Sequence, residues 1–568
     1  MTASYAVLQE RAQGRQWALA EKRRVRVGTA LCGMAAGAGA VLDAVRREVG
    51  SLGLEATVSE VGCLGLCYAE PLVDFQSPGG QRVFYGNVAK EQAPRLVRAH
   101  LVEGQPAMEG ALATLGGEAL PGVPALGQLP MMKGQLRIAL GNAGHIDPGS
   151  LEEYVAVGGY GALDKALSGM APQQVLEEVA RSGLRGRGGA AFPTGVKWRF
   201  LASSPGPVKY ILANCEEGDP GAFNDKAVLE SDPHALLEGI VLAGYATGAS
   251  KGFVFVRHGH EGPIHRMREA VQQAYAAGLL GANILGAAFS FDCEVVLVGE
   301  SYVSGEETAL MEAIEGKRAT PRYRPPFPAA VGLWGKPSNI NNIKTLTYVP
   351  PIVARGGSWF ASIGTERSKG TAILCLSGAV QRPGMVEVPM GRTLREAVEG
   401  LGGGVAGGRK LKLLQTGGPL GGLLSADKLD IPLDFDAMAR AGAILGSGGI
   451  IVADDTACAV DLTRLLVAFC QFESCGKCFP CRLGTTHLLE IMERICRFQA
   501  RPGDLELMHT VGTQMAAGSL CGHGQLGFNP VQSALKSFGA EFTAHIERRT
   551  CPAGVCDGKY LTPERSRR

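Results

Sequence analysis

Gly183-Leu184-Arg185-Gly186-Arg187-Gly188-Gly189-Ala190-Ala191-Phe192-Pro193-Thr194-Gly195-Val196-Lys197-Trp198 is the stretch on which the fold reading turns. Its glycines let backbone N–H groups approach an anion closely, Arg187 and Lys197 add positive charge, and Phe192 offers an aromatic face to a flat ring. The spacing is not the Gly-x-Gly-x-x-Gly of dinucleotide domains, and a plain glycine-rich turn is the competing reading. The surrounding chain bears on the choice. Residues 210–214, 252–257 and 293–298 read as strands, with helices over 234–246 and 264–277 between them, which predicts a parallel sheet. Glu216, Glu217 and Asp219 follow the first strand; Glu306 and Glu307 follow the third. Open α/β sheets bind ligands beyond their strand ends. Carboxylates repel phosphate, so these acids are expected to hold sugar hydroxyls or a carboxamide. Solvated strand-end acids and an acid–base pair for hydrolysis are the alternatives.

A second motif, Glu473-Ser474-Cys475-Gly476-Lys477-Cys478-Phe479-Pro480-Cys481, opens onto a helical stretch. Thiolates at intervals of three wrap three corners of a cubane, whose irons prefer soft sulfur ligands. Cys521 is the candidate fourth ligand. Zinc is the main alternative to a [4Fe–4S] cluster, and buried structural thiols the other. The cluster reading marks an electron-transfer protein.

Composition narrows the class. The 568 residues suggest roughly three to five domains. With 56 basic and 54 acidic side chains there is no global nucleic-acid or anionic-membrane signal. Eighty glycines without a collagen-like period read as turns and phosphate-approach loops, and 15 cysteines in pairs and triplets favour a reducing compartment. Arg23-Arg24-Val25-Arg26 before an apolar stretch imitates a targeting signal, but a long polar segment precedes it and an amphipathic helix continues it. No apolar run is long enough to span a bilayer, so a cytoplasmic protein without direct membrane insertion is expected.

Together the motifs resemble the NADH-binding flavoprotein subunit of respiratory complex I, and within that family the diaphorase (beta) subunits of soluble NAD-linked hydrogenases and formate dehydrogenases. The resemblance covers about 150–550. It rests on Gly183–Gly189, Gly305-Glu306-Glu307-Thr308-Ala309-Leu310, Pro325-Pro326-Phe327-Pro328-Ala329, Gly332-Leu333-Trp334-Gly335-Lys336-Pro337, Asn341-Asn342 and the cysteine motif. It implies a multidomain α/β chain: a thioredoxin-like ferredoxin-type domain over 1–100, a linker over 101–149 and a Rossmann-like FMN/NADH domain over 150–365. A β-grasp (ubiquitin-like) insert over 366–450, a helical [4Fe–4S] bundle over 451–545 and a cysteine-pair tail over 546–568 complete it, with 563–568 read as disordered. By the resemblance, FMN lies against Gly186, Arg187, Gly188, Gly189, Lys197, Asn214, Glu216, Tyr302, Gly305, Glu306, Asn341, Asn342 and Thr345. NAD(H) stacks on Phe192, Phe200 and Phe327, with Glu307 near the carboxamide; Glu217 and Asp219, in the loop after Asn214, are further cofactor-binding candidates. Cys475, Cys478, Cys481 and Cys521 hold the cubane. Hydride passes directly to FMN, so no catalytic side chain is named. Ala191 stands where relatives often carry glycine, and Ser304 replaces a frequent cysteine. Glu217-Gly218-Asp219 is closer to the hydrogenase-type diaphorases.

Two further metal sites are raised. The related thioredoxin-like domain binds [2Fe–2S] through four cysteines, whereas this chain offers Cys32, Cys63 and Cys67, with Arg26 near the place of the fourth. A docking domain that has lost its cluster is the preferred reading there. His545, Cys551 and Cys556 have ligand-like spacing for zinc, with Cys458 as the fourth donor and unmetallated thiols as the alternative. Cys215, Cys293, Cys375, Cys470 and Cys496 read as core residues. The expected function is hydride exchange between NAD(H) and FMN, then single-electron transfer to the cubane, within a multisubunit complex. The expected partners are a thioredoxin-like [2Fe–2S] subunit and an iron–sulfur or catalytic subunit of a hydrogenase, formate dehydrogenase or other reductase. A complex I subunit proper, or a scaffold without NADH turnover, are the alternatives.

Overall fold

The computed structural model describes residues 2–117 and 120–556, so the tail expected to be disordered at 563–568 lies outside the described residues. Three sheets and a helical bundle organise the chain. The first sheet contains β1 (Arg23–Gly28), β2 (Ala56–Val61), β3 (Val73–Gln76), β4 (Arg82–Tyr85) and β5 (Ala111–Leu115) in the order β2-β1-β3-β4-β5. β1 and β2 run parallel, joined by the helix Ala38–Ser51; the remaining pairs are antiparallel. Within the stretch expected as a linker, residues 111–115 hydrogen-bond to β4, despite the glycines and prolines on either side.

The sheet that positions the crevice is four-stranded and wholly parallel: β8-β7-β6-β9, from β6 (Tyr210–Cys215), β7 (Lys251–Arg257), β8 (Asp292–Val298) and β9 (Ser338–Asn342). In β6 and β7, Ile211, Leu212, Ala213, Val254 and Phe255 are fully buried, as strands covered by helices on both faces must be. The register sets Asn214 beside Phe255 and Asn342, and Arg257 beside Val298, so all four carboxyl ends fall on one edge. β9 was not anticipated.

The third sheet is mixed, in the order β11-β10-β14-β12-β13, from β10 (Thr371–Gly378), β11 (Gly384–Pro389), β12 (Leu411–Thr416), β13 (Leu423–Ser425) and β14 (Gly449–Asp454). β14 lies between β10 and β12, so this unit runs to 454 and the expected boundary at 450 falls inside a central strand. Its apolar face shares one core with Leu64, Leu66 and Phe84 of the first unit. Glu387 of β11 is completely buried and accepts from the backbone N–H groups of Ile138 (2.8 Å), Ala139 (3.2 Å) and Leu140 (2.9 Å) and from the Tyr348 hydroxyl (2.9 Å), stitching three parts of the chain together.

The helices Ala459–Phe472, Phe479–Cys496, Asp504–Gly518 and Asn529–Ile546 form the bundle, around Val467, Leu488, Met492, Met508 and Val531. Cys551, Ala553 and Cys556 of the cysteine-pair segment pack against this core. No described helix is long and apolar enough to cross a membrane.

Candidate functional site: a strand-end crevice beside a cysteine-lined cavity

The glycine loop folds over the carboxyl end of β9. The Gly186 N–H donates to the Phe192 carbonyl (2.9 Å) and the Arg187 N–H to Thr345 Oγ (2.9 Å). At Gly188 a Cβ would come within 2.9 Å of Asn342 Cβ, so only glycine permits this approach. Ala191 adopts φ of 52°, the left-handed region that explains why glycine suits this position. Arg187 departs from the sequence reading. Its guanidinium is buried and donates to the carbonyls of Arg185 (2.7 Å), Lys369 (2.7 Å) and Thr371 (3.2 Å), so it clamps the loop to the third sheet and leaves only its backbone toward the crevice. Lys197, in the helix Thr194–Ser203, keeps a free edge: its ammonium donates to the Glu307 carboxylate and to the Ile340 carbonyl (2.6 Å).

The acids divide by role. Burial pushes Glu216 up to about 8, so its carboxyl is protonated near neutrality, while the Arg257 guanidinium 3.5 Å away opposes the shift. Glu217 accepts from the Asp225 and Lys226 N–H groups (2.6 and 2.8 Å), capping the helix Asn224–Ser231; burial pushes it up to about 7. Asp219 accepts from Ser447 Oγ at 2.6 Å. The Glu217 side chain is thus used within the protein, while Asp219 keeps one buried oxygen, Oδ1, without a partner. Glu306 caps the helix Glu307–Ile314 through the Thr308 and Ala309 N–H groups (2.9 and 3.0 Å), and Arg324 pairs with Glu306 and Glu307 (3.3 and 3.6 Å). Asn214 donates to the Gly305 carbonyl (2.9 Å), Asn342 to Asp225 (2.6 Å), and Asn341 to Asn339 (2.6 Å). A buried Lys344–Asp225 pair (2.7 Å), not anticipated, fixes the turn after β9; its signal was the lysine directly following Asn341-Asn342-Ile343.

Phe192, Phe200 and Phe327 are all about half exposed, at 47, 54 and 60 %. Ser204 donates to the Ala329 carbonyl (2.6 Å), holding the helix that carries Phe200 against the loop that carries Phe327.

Cys475, Cys478, Cys481 and Cys521 line one cavity with Val303, Ser474 and His523. Four convergent soft donors fit an iron–sulfur cubane. Cys481 begins the first turn of its helix, with Ser474 Oγ 3.3 Å from its sulfur. Burial pushes the Cys481 thiol up to about 12 and the Cys521 thiol up to about 11, so metal binding there displaces protons. The crevice and the cavity share a wall, the turn Tyr302–Gly305. Its Tyr302 N–H donates to Glu473 Oε (2.9 Å), Val303 faces the cysteines, and the Gly305 carbonyl receives Asn214. Glu473 and Ser474 were quoted in the motif but given no role.

The last four-donor group lies behind the bundle. Ligand atoms of Cys458, His545, Cys551 and Cys556 all fall within 4.8 Å of one another, with Cys458 Sγ 3.5 Å from His545 Nε2 and 3.9 Å from Cys556 Sγ. His545 Nδ1 is fixed against the Glu541 carbonyl at 2.7 Å. Cys215, Cys293, Cys375, Cys470 and Cys496 are buried core residues, as read.

Such a fold and pair of sites define a flavin- and iron–sulfur-binding electron-transfer protein. Residues 179–351 match the Nuo51 FMN-binding domain, 373–424 the SLBB domain, and 461–545 the iron–sulfur binding region of NADH-ubiquinone oxidoreductase-F. The chain is 44 % identical over 424 residues to the HndC subunit of the NADP-reducing hydrogenase of Solidesulfovibrio fructosivorans, covering 75 % of this chain and 86 % of that one. It is 44 % identical to the second F-type subunit of the NADH-quinone oxidoreductase of Rhizobium meliloti, covering 71 % and 96 %. A crystal structure of an NAD+-reducing [NiFe]-hydrogenase in the H2-reduced state superposes with a TM-score of 0.65 at 27 % identity, over 97 % of this chain and 91 % of that one. The chain belongs to the family of F-type NADH-quinone oxidoreductase subunits and their hydrogenase relatives.

Proposed function

We propose that this chain is the diaphorase module of a multisubunit oxidoreductase, exchanging hydride between NAD(H) and FMN and releasing electrons singly through a [4Fe–4S] cluster on Cys475, Cys478, Cys481 and Cys521. The shared wall at Tyr302–Gly305 is the observation that carries this reading, because it sets the strand-end crevice directly against the cysteine cavity. Bound FMN supplies the conversion of a two-electron hydride donor into one-electron steps. The protein's part is positional. The backbone of Gly186, Arg187, Gly188 and Gly189 would hold the FMN phosphate, and Asn214, Glu216, Tyr302, Gly305, Glu306, Asn341, Asn342 and Thr345 would hold the rest of the cofactor. Lys197 holds a positive charge beside Glu307, and Phe192, Phe200 and Phe327 offer faces to the dinucleotide. Glu216, protonated, could donate a hydrogen bond to a bound flavin where an ionised acid would repel it.

The sheet orders support a thioredoxin-like first unit, a Rossmann-like FMN/NADH unit and a β-grasp insert. The Cys458–His545–Cys551–Cys556 group has the spacing of a structural zinc site: tetrahedral Zn–S and Zn–N bonds of ~2.0–2.3 Å set their donors about 3.5–3.8 Å apart. A hydrogenase, formate dehydrogenase or similar reductase is the partner class. A complex I subunit proper is the second reading: at the same 44 % identity, the hydrogenase relative matches 75 % of the chain and the Rhizobium meliloti quinone oxidoreductase protein 71 %.

Cys478→Ala tests the path. NADH still bleaches the flavin of this variant, while electron delivery to a one-electron acceptor falls by at least ten-fold. Undiminished delivery contradicts the path.

A further inference from the structure

A third thiol cluster lies in the amino-terminal unit, outside both sites above. Cys32 belongs to the short helix Leu31–Ala35 after β1, and Cys63 and Cys67 follow β2. Cys67 Sγ stands 3.3 Å from Cys32 Sγ, and Cys63 is buried with its sulfur accepting from the Gly65 N–H at 3.2 Å. A four-thiolate site is closed to this chain. Arg26 takes the place expected of the fourth cysteine, and its guanidinium donates to Asp74 (3.0 Å) and Gln76 (2.5 Å).

Glu70 stands out beside these sulfurs. It is 7 % exposed, and its Oε2 accepts from the Leu72 N–H at 2.9 Å. Among the described residues no basic side chain forms an ion pair with it. Its carboxylate lies over the end of β1 beside the helix of Cys32, where a Cβ on Gly33 would stand 3.1 Å from Oε2 and one on Gly28 3.3 Å, and Glu70 is three residues beyond Cys67 in sequence. Burying a carboxylate without a cation is costly, and three neighbouring thiols bring no compensating charge. A cationic centre gripped by all four donors removes that cost.

We propose that Glu70 is the fourth ligand of a binuclear iron–sulfur centre whose other ligands are Cys32, Cys63 and Cys67, an oxygen donor replacing the missing thiolate. The centre adjoins the flavin unit. Glu230 accepts from the Leu31 N–H at 2.9 Å and sits on the same helix, Asn224–Ser231, that Glu217 caps at the crevice.

The test uses the full-length holoprotein, with iron, acid-labile sulfide and FMN counted per chain and electron paramagnetic resonance recorded after reduction. Wild type carries about two irons and two sulfides beyond those of the cubane. Glu70→Gln loses them and keeps its FMN. Glu70→Cys retains them with shifted g values, because a fourth thiolate has replaced oxygen. Wild type with cubane iron alone overturns the proposal. So does a Glu70→Gln variant with full iron and an unchanged signal, or a Glu70→Cys spectrum superimposable on wild type.

Discussion

Glu216 shows how much of the crevice is set by one residue's surroundings. Its folded value of about 8 lies above the ordinary 4.5, so the native state keeps a proton that the unfolded chain gives up. Native stability therefore declines through this group as pH rises from about 4.5 to about 8, by up to ~1.4 kcal/mol per pH unit. Glu216→Gln, neutral at every pH, lacks that decline. In cofactor-free protein, urea-melt stability of the variant relative to wild type should grow between pH 5 and 8; a pH-independent difference refutes the assignment. At this scale the sequence was legible where chemistry is local. The cysteine spacing singled out Cys475, Cys478 and Cys481, which line one cavity with Cys521, whereas Phe200 and Phe327 came from the family resemblance. The side-chain contacts of Arg187, Glu217 and Asp219 with Thr371, Asp225 and Ser447 were not legible, because those partners are fixed only by tertiary packing.

Among the elements, the three strands rich in Val, Ile, Leu and Phe stood out, while β9 did not. Ser338-Asn339-Ile340-Asn341-Asn342 has one aliphatic residue and the wrong propensities, and becomes a strand only because β6 supplies a buried edge to pair with. β14 reads as a strand by composition, but nothing local says that it inserts between β10 and β12. Glu387 links these elements, and Glu387→Ala strands three N–H groups, two of them buried. Chemical denaturation should show a loss of about 3–5 kcal/mol, and a loss below 1 kcal/mol counts against the stitch. The cysteine group behind the bundle behaves as an element-level clamp, since it ties residues 551–556 to the helices that begin at Ala459 and end at Ile546. Zinc analysis should return about one ion per chain. His545→Ala should lose it and melt several degrees lower while NADH still bleaches the flavin; unchanged zinc would remove the site.

For the whole molecule, the arrangement is a sequence of compartments joined by shared walls. The parallel sheet brings its strand ends and the glycine loop to one crevice, the Tyr302–Gly305 turn separates that crevice from the cubane cavity, and the third unit braces the crevice side through Glu387 to Tyr348 and Ser447 to Asp219. The amino-terminal unit shares a core with the mixed sheet, so it is integral to the chain rather than hung from a linker. Anaerobic titration of the intact holoprotein with NADH, followed by visible absorbance and electron paramagnetic resonance together, tests this account most directly. The flavin should bleach and a reduced-cubane signal should appear in the same titration, the signal vanishing in Cys521→Ser while bleaching persists. FMN-loaded protein that NADH leaves fully oxidised would contradict the account.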